Sequence, residues 1–166
     1  MQRSGKLDSC LVFVKDSMFY LPEAEPVPPL IMVGPGTGVV PFIGFTQTFE
    51  SAPYKSDTLL YFGCRKTNSD FIFEDELVNA QKQGHLQELK VAESRPKDGN
   101  GVYVQDLMVA DKDKILALLE RKAVLCICGN TKMGQDVQKL LKEWIGNDQF
   151  KEMEKEKRLI KELWSN

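Results

Sequence analysis

Little in this sequence points to a metal site or a disulfide framework. There is a single histidine, His85, and the four cysteines, Cys10, Cys64, Cys126 and Cys128, are few and irregularly spaced. A tetrahedral zinc site needs four convergent nitrogen or sulfur ligands, and Cys126-Ile-Cys128 is not a Cys-x-x-Cys pair. No metal is expected. The same scarcity favours a reduced, cytoplasmic setting. No apolar run approaches the ~20 residues that span a bilayer. The opening residues MQRSGKLDS also lack the apolar core of a secretory leader. An excess of one charge is missing too. Lys and Arg number 22 against 24 Asp and Glu, a net charge of −2, which gives no electrostatic case for nucleic acid or an anionic membrane. What remains is an ordinary globular composition, 42% hydrophobic over 166 residues, enough for one domain with a core.

Four segments have strand character: LIMVG (30–34), TLLYFGC (58–64), LQELKVAE (86–93) and AVLCICG (123–129). Three are continuous apolar runs, as in a parallel sheet covered on both faces. Between them the spacing predicts helices over 41–50, 70–83, 113–122 and 132–144. In the first, Pro41 sits in the opening turn, where a missing N–H costs nothing. In the second, Asp70 is the expected N-cap, Phe73, Leu77 and Ala80 share a face, and Gly84 ends the helix. Strands alternating with helices give an α/β fold with an open, doubly wound, mainly parallel sheet and helices on both faces. Upstream, LVFV is a short β-like piece and the Pro-rich PEAEPVPP (22–29) reads as a boundary, leaving 30–166 as the main domain. KEMEKEKR (151–158) reads as a solvated helix surface. RLIKELW fits a helix or a final strand equally.

Three glycines in five residues, Gly34, Gly36 and Gly38, follow the first strand and precede a helix. Ligands of open α/β sheets bind outside the carboxyl ends of the strands, and N–H groups at a helix start favour a phosphate. The loop GPGTG is neither a P-loop nor a strict G-x-G-x-x-G. No carboxylate ends the second strand to hold a ribose 2′-OH; the chain reads Gly63-Cys64-Arg65-Lys66 there. Ser94-Arg95 after the third strand suits a phosphate dianion, and Tyr103 offers a plane for a purine. The plainer alternatives are a structural turn, a solvated arginine and a half-buried tyrosine.

Taken in order, VGPGTGVVPFIGF, YFGCR followed by Asp70 and Phe73, ESR before VYVQD, ICGN with MGQDV, and Trp164-Ser165 carry more than any one of them alone. Together they resemble the C-terminal NADP(H)-binding half of the diflavin reductases, across roughly residues 11–165. That family includes cytochrome P450 reductase, methionine synthase reductase and the sulfite reductase flavoprotein. The wording of the glycine loop is most similar to methionine synthase reductase. The resemblance implies a ferredoxin-NADP reductase-like domain in which Thr37 and the loop glycines meet the pyrophosphate. Ser94 and Arg95 would hold the 2′-phosphate, Tyr103 and Gln105 the adenosine end, with Arg65 and Asp136 also at the nucleotide. Cys128 and Gly129 form the Cys-Gly motif, with Cys128 facing the nicotinamide. Glu162 would be the terminal acid, and Trp164 would stack on a flavin. The plain alternative for Cys126 is a small buried side chain, and for Trp164 an anchor for a tail.

The resemblance also marks departures. Gly101 stands where many relatives have a lysine, and Lys97 is the candidate to replace it. Asn130 replaces an aspartate after Cys-Gly, and Glu162 is one methylene longer than the commoner Asp. Flavin-binding signatures are missing, as is an FMN domain, so residues 1–29 resemble a remnant of a flavin-domain strand and linker. The implied cofactors are NADP(H), with FAD and FMN in the full-length protein. The implied partners are flavin domains of the same full-length chain and a downstream redox protein. The rival readings are a non-catalytic NADP-binding or electron-transfer partner module, and a phosphate-binding domain unrelated to redox.

Overall fold

The computed structural model describes residues 19–22 and 25–165. The LVFV piece and most of the 1–29 segment lie outside the described residues. Five strands form one sheet: β1 (Leu30–Val33), β2 (Thr58–Cys64), β3 (Glu88–Glu93), β4 (Val124–Asn130) and β5 (Leu159–Trp164). Their order is β3-β2-β1-β4-β5, and all four pairings are parallel. The three apolar runs are the three central strands, and every residue of β1 and β2 is buried.

The alternation of side chains divides the core into two layers. Leu30 and Met32 of β1, and Cys126 and Cys128 of β4, face α1 (Val40–Ser51) and α3 (Glu74–Lys82). Ile31, Val33, Leu125 and Ile127 face α4 (Val104–Ala110), α5 (Lys112–Glu120) and α6 (Thr131–Lys155). The expected doubly wound fold is present. Burying side chains such as Leu60 and Phe62 on this sheet is worth roughly 1.5–3 kcal/mol each.

Several boundaries differ from the sequence expectation. The helix expected over 70–83 is broken: a four-residue turn of helix, α2 (Thr67–Asp70), ends before Phe73, which precedes α3 with φ of 58°. Phe73 is therefore exposed, while Leu77 and Ala80 are buried as expected. Gly84 has φ of 78°, in keeping with its role as a terminator. VYVQD is not a connecting strand but the start of α4, a helix the apolar pattern did not announce. The helix over 132–144 continues to Lys155 through a break at Gly146, whose φ and ψ of 80° and 161° no residue with a side chain adopts comfortably. RLIKELW resolves as β5, paired along β4 from Leu125 to Asn130.

Residues 19–29 are packed, not loose. Phe19 stacks on Phe45 at 5.8 Å and tilts against Phe42 at 5.4 Å, and Tyr54 donates its hydroxyl hydrogen to the Pro28 carbonyl at 2.8 Å. No helix among the described residues is long and apolar enough to cross a membrane.

Candidate functional site

The chain runs outward from β1 to β2 and β3, then returns to lay β4 on the other side of β1. The point of reversal lies between the carboxyl ends of β1 and β4, where the ends of adjacent connections diverge and leave a crevice. The glycine loop occupies that point, and each glycine has its own reason. A Cβ on Gly34 would meet the Gly38 carbonyl oxygen and the Phe42 ring, both at 2.6 Å. A Cβ on Gly38 would lie 2.1 Å from the Cys128 carbonyl oxygen, so only glycine lets the loop rest on the end of β4. Gly36 has open space around it but a φ of 55°. Two of the three glycines thus serve the chain's packing on itself, and the loop is left as a tight 3-10 turn, Gly36–Val39, leading into α1. The N–H groups of Gly36 and Thr37 open this turn without an intrahelical acceptor and suit an anion. Thr37 is exposed, beside them.

Two further glycines belong to the site, although the sequence reading did not single out Gly63. Its Cβ would touch Pro35 at 3.0 Å and Val104 at 3.1 Å, so the glycine loop, β2 and α4 meet there. Gly129 has φ of 148° and lies under Met133 and Pro35. Asn130 then caps α6, its side-chain oxygen accepting the Lys132 N–H at 2.8 Å. An asparagine performs this capping without the charge of an aspartate.

The ends of β2 and β3 carry the arginines. Ser94 donates to the Cys64 carbonyl through both its N–H (2.9 Å) and its hydroxyl (3.2 Å), and the Arg95 N–H donates to the Arg65 carbonyl at 2.8 Å. Arg65 and Arg95 are thereby held side by side, exposed, and neither has an ion-pair partner among the described residues. Tyr103 stands at the start of α4, where its N–H donates to the Asp106 carboxylate at 2.7 Å. That anchored backbone projects the ring into solvent, 57% exposed, free to stack. Asp106 was missed earlier, although its spacing three residues after Tyr103 is that of a capping box.

Gln105 and Asp136 line one groove of about 230 Å³ between α4 and α6. The Gln105 Oε1 is buried there without a hydrogen-bond donor. An orphaned acceptor beside a carboxylate fits a ligand that brings N–H or O–H groups. The remaining residues close the other side. Cys128 and Glu162 are cross-strand partners, as are Asn130 and Trp164. Burial, with the Glu162 carboxylate adding to it, pushes the Cys128 thiol up to about 11. The group there is therefore a neutral S–H at ordinary pH, a weak donor and not a nucleophilic thiolate. Cys126, one turn of the pleat deeper, is pushed by burial to about 12 and is core. Trp164 is 38% exposed at the lip of the same face.

All the candidate residues therefore lie along one edge of the sheet, in two groups: arginines, Ser94 and Tyr103 over β2 and β3, and Cys128, Glu162 and Trp164 over β4 and β5. The glycine loop lies between. Residues 32–139 match the family described as Oxidoreductase NAD-binding domain. The chain belongs to that family. The relatives agree with the resemblance to the diflavin reductases. NADPH–cytochrome P450 reductase of Mus musculus is 43% identical over 133 residues, 76% of this chain and 19% of that protein. The Homo sapiens protein of the same name is 41% identical over 132 residues, again 76% of this chain and 19% of that protein. The Drosophila melanogaster one is 41% identical over 170 residues, 93% of this chain and 25% of that protein. The chain thus spans a fifth to a quarter of the length of these relatives.

Proposed function

We propose that this domain binds NADP(H) and presents the nicotinamide to a flavin held by another part of the full-length protein. The observation that carries the reading is the pair of unneutralised arginines beside Ser94, at strand ends that offer no carboxylate to a free 2′-OH. The amides of Gly36 and Thr37 bind the pyrophosphate, and Tyr103 supports the adenine. Ser94 and Arg95 hold the 2′-phosphate, with Arg65 close by. Gln105 and Asp136 accept from donors at the adenosine end.

When bound, NADPH supplies the hydride, so the chain's own task is placement. The neutral Cys128 thiol borders the nicotinamide position, and Glu162 beside it keeps that thiol protonated. Trp164 covers the position that the flavin ring and the nicotinamide compete for. In the full-length protein the hydride passes to FAD, and electrons pass on to FMN and a protein acceptor, in a cytoplasmic setting. Residues 1–29 join this domain to the flavin domain.

The isolated chain should bind NADP+ but retain no FAD and reduce no acceptor, because Trp164 alone cannot offset the entropy of associating a flavin. Joined to its flavin domain, it should bleach flavin absorbance on mixing with NADPH, and Cys128→Ala should slow that bleaching. A joined protein that binds NADP+ yet never reduces flavin would favour the non-catalytic module instead.

A further inference from the structure

The chain leaves β2 through Arg65-Lys66 and leaves β3 through Arg95-Pro96-Lys97, so four cations meet at one corner of the sheet. Beyond the two arginines lies an open cleft of about 600 Å³, with Lys66, Thr67 and Ser69 on one side and Pro96 and Lys97 on the other. None of the four cations has an ion-pair partner among the described residues, whereas Lys90, Lys114, Arg121, Lys122 and Arg158 all do. The two acids at the cleft are engaged elsewhere. Glu93 accepts the Thr67 hydroxyl at 3.0 Å, and Asp98 accepts the Asn100 N–H at 3.2 Å within its own loop. Four like charges held together without counter-charge raise the potential of the corner and favour a multivalent anion.

The loop between Pro96 and Gly101 explains why a lysine at 97 matters. Gly99 turns it with φ of 80°, and its N–H donates to the Pro96 carbonyl at 3.2 Å. Gly101 lies so close to Ser94 that a Cβ would fall 2.3 Å from the Ser94 carbonyl oxygen. Position 101 can carry no side chain while Ser94 keeps its place. Lys97 is the loop's only cation.

We propose that Lys66 and Lys97 form a second wall of the 2′-phosphate site, with Lys97 the contact that sets the preference for a phosphorylated ribose. The proposal rests on the nucleotide reading above and adds two residues to it. A phosphate monoester held at Arg95 would then be reached from the cleft side by two flexible ammonium groups, which act as point charges on its remaining oxygens.

The test is calorimetric titration of 2′,5′-ADP and 5′-AMP into the wild-type chain, Lys66→Ala, Lys97→Ala and Lys97→Arg, with Lys82→Ala as a distant control. Each alanine variant should weaken 2′,5′-ADP about fivefold, as expected for solvent-exposed charge contacts, and leave 5′-AMP and the control unchanged. Lys97→Arg should restore most of the loss. Wild-type binding of 2′,5′-ADP by both alanine variants, or equal weakening of both ligands, would overturn the second wall. A wild-type chain that binds 2′,5′-ADP no better than 5′-AMP would overturn the nucleotide reading itself, an outcome visible before any variant is made.

Discussion

Replacing Gly38 by alanine tests how the glycine loop is held against the nicotinamide end of the site. The new Cβ would start 2.1 Å from the Cys128 oxygen and 2.8 Å from its carbonyl carbon, both backbone atoms of a central strand. Ordinary Cβ contacts begin a little above 3 Å, so the loop must retreat by about 1 Å or β4 must yield. β4 is fixed on both edges, by β1 and by β5, so the loop moves. Overpacking of this kind costs about 1–3 kcal/mol, which lowers the melting temperature by roughly 3–10 °C for a chain of this size. The retreat also carries the Gly36 and Thr37 amides away from the phosphate, and a misplacement near 1 Å can reduce hydride transfer about 100-fold in the joined protein. Gly36→Ala is the contrast. It meets no atom, but its φ of 55° costs it about 1–2 kcal/mol without displacing β4 contacts. Differential scanning fluorimetry and NADP+ titration on both variants separate the effects. A Gly38→Ala chain that melts and binds like wild type would refute the argument that this glycine is required by packing.

Cys128 should react with iodoacetamide at pH 8 about 100-fold more slowly than an ordinary thiol, because its value near 11 stands against 9.0 for an unperturbed one; mass spectrometry of a labelling time course reads this. Both Cys126 and Cys128 titrate higher in the folded chain than in the unfolded one, so their contribution is complete below pH 9 and is lost as pH rises through about 11 and 12, which alkaline melting curves should show as a falling midpoint. Phe19→Ala removes a ring stacked on Phe42 and Phe45 and should lower stability by roughly 1–2 kcal/mol in urea titration. In the joined protein, Trp164→Ala should tighten oxidised nucleotide and relax the preference for NADPH over NADH, as steady-state kinetics with both would report; a lowered melting point with unchanged preference would mean that Trp164 is only an anchor.

The parallel sheet was legible because burial on both faces removes the alternation from β1, β2 and β4, and nothing else in the chain has that pattern. The helix break at Phe73 was not legible. Phe73, Leu77 and Ala80 keep helical spacing across it, and a left-handed Phe leaves no mark in the sequence. α4 was hidden because Val102-Tyr103-Val104 alternates like a strand, whereas the Asp106 carboxylate on the Tyr103 N–H starts a helix. RLIKELW satisfied two periods, and pairing with β4, a long-range event, decided between them. At the site, the order of the motifs located every candidate residue on one edge. The reason for Gly38 and Gly101 could not be read from order, since each is set by a carbonyl far away in sequence or across a loop.

The most direct test of the account is a titration of NADP+ and NAD+ against the wild-type chain and Arg95→Ala. A charge-assisted contact to a phosphate is worth ~1.5–3 kcal/mol, so the variant should lose roughly 10- to 150-fold in NADP+ affinity while NAD+ stays within a factor of about two. Equal losses for the two nucleotides, or a wild-type chain indifferent to the 2′-phosphate, would contradict it.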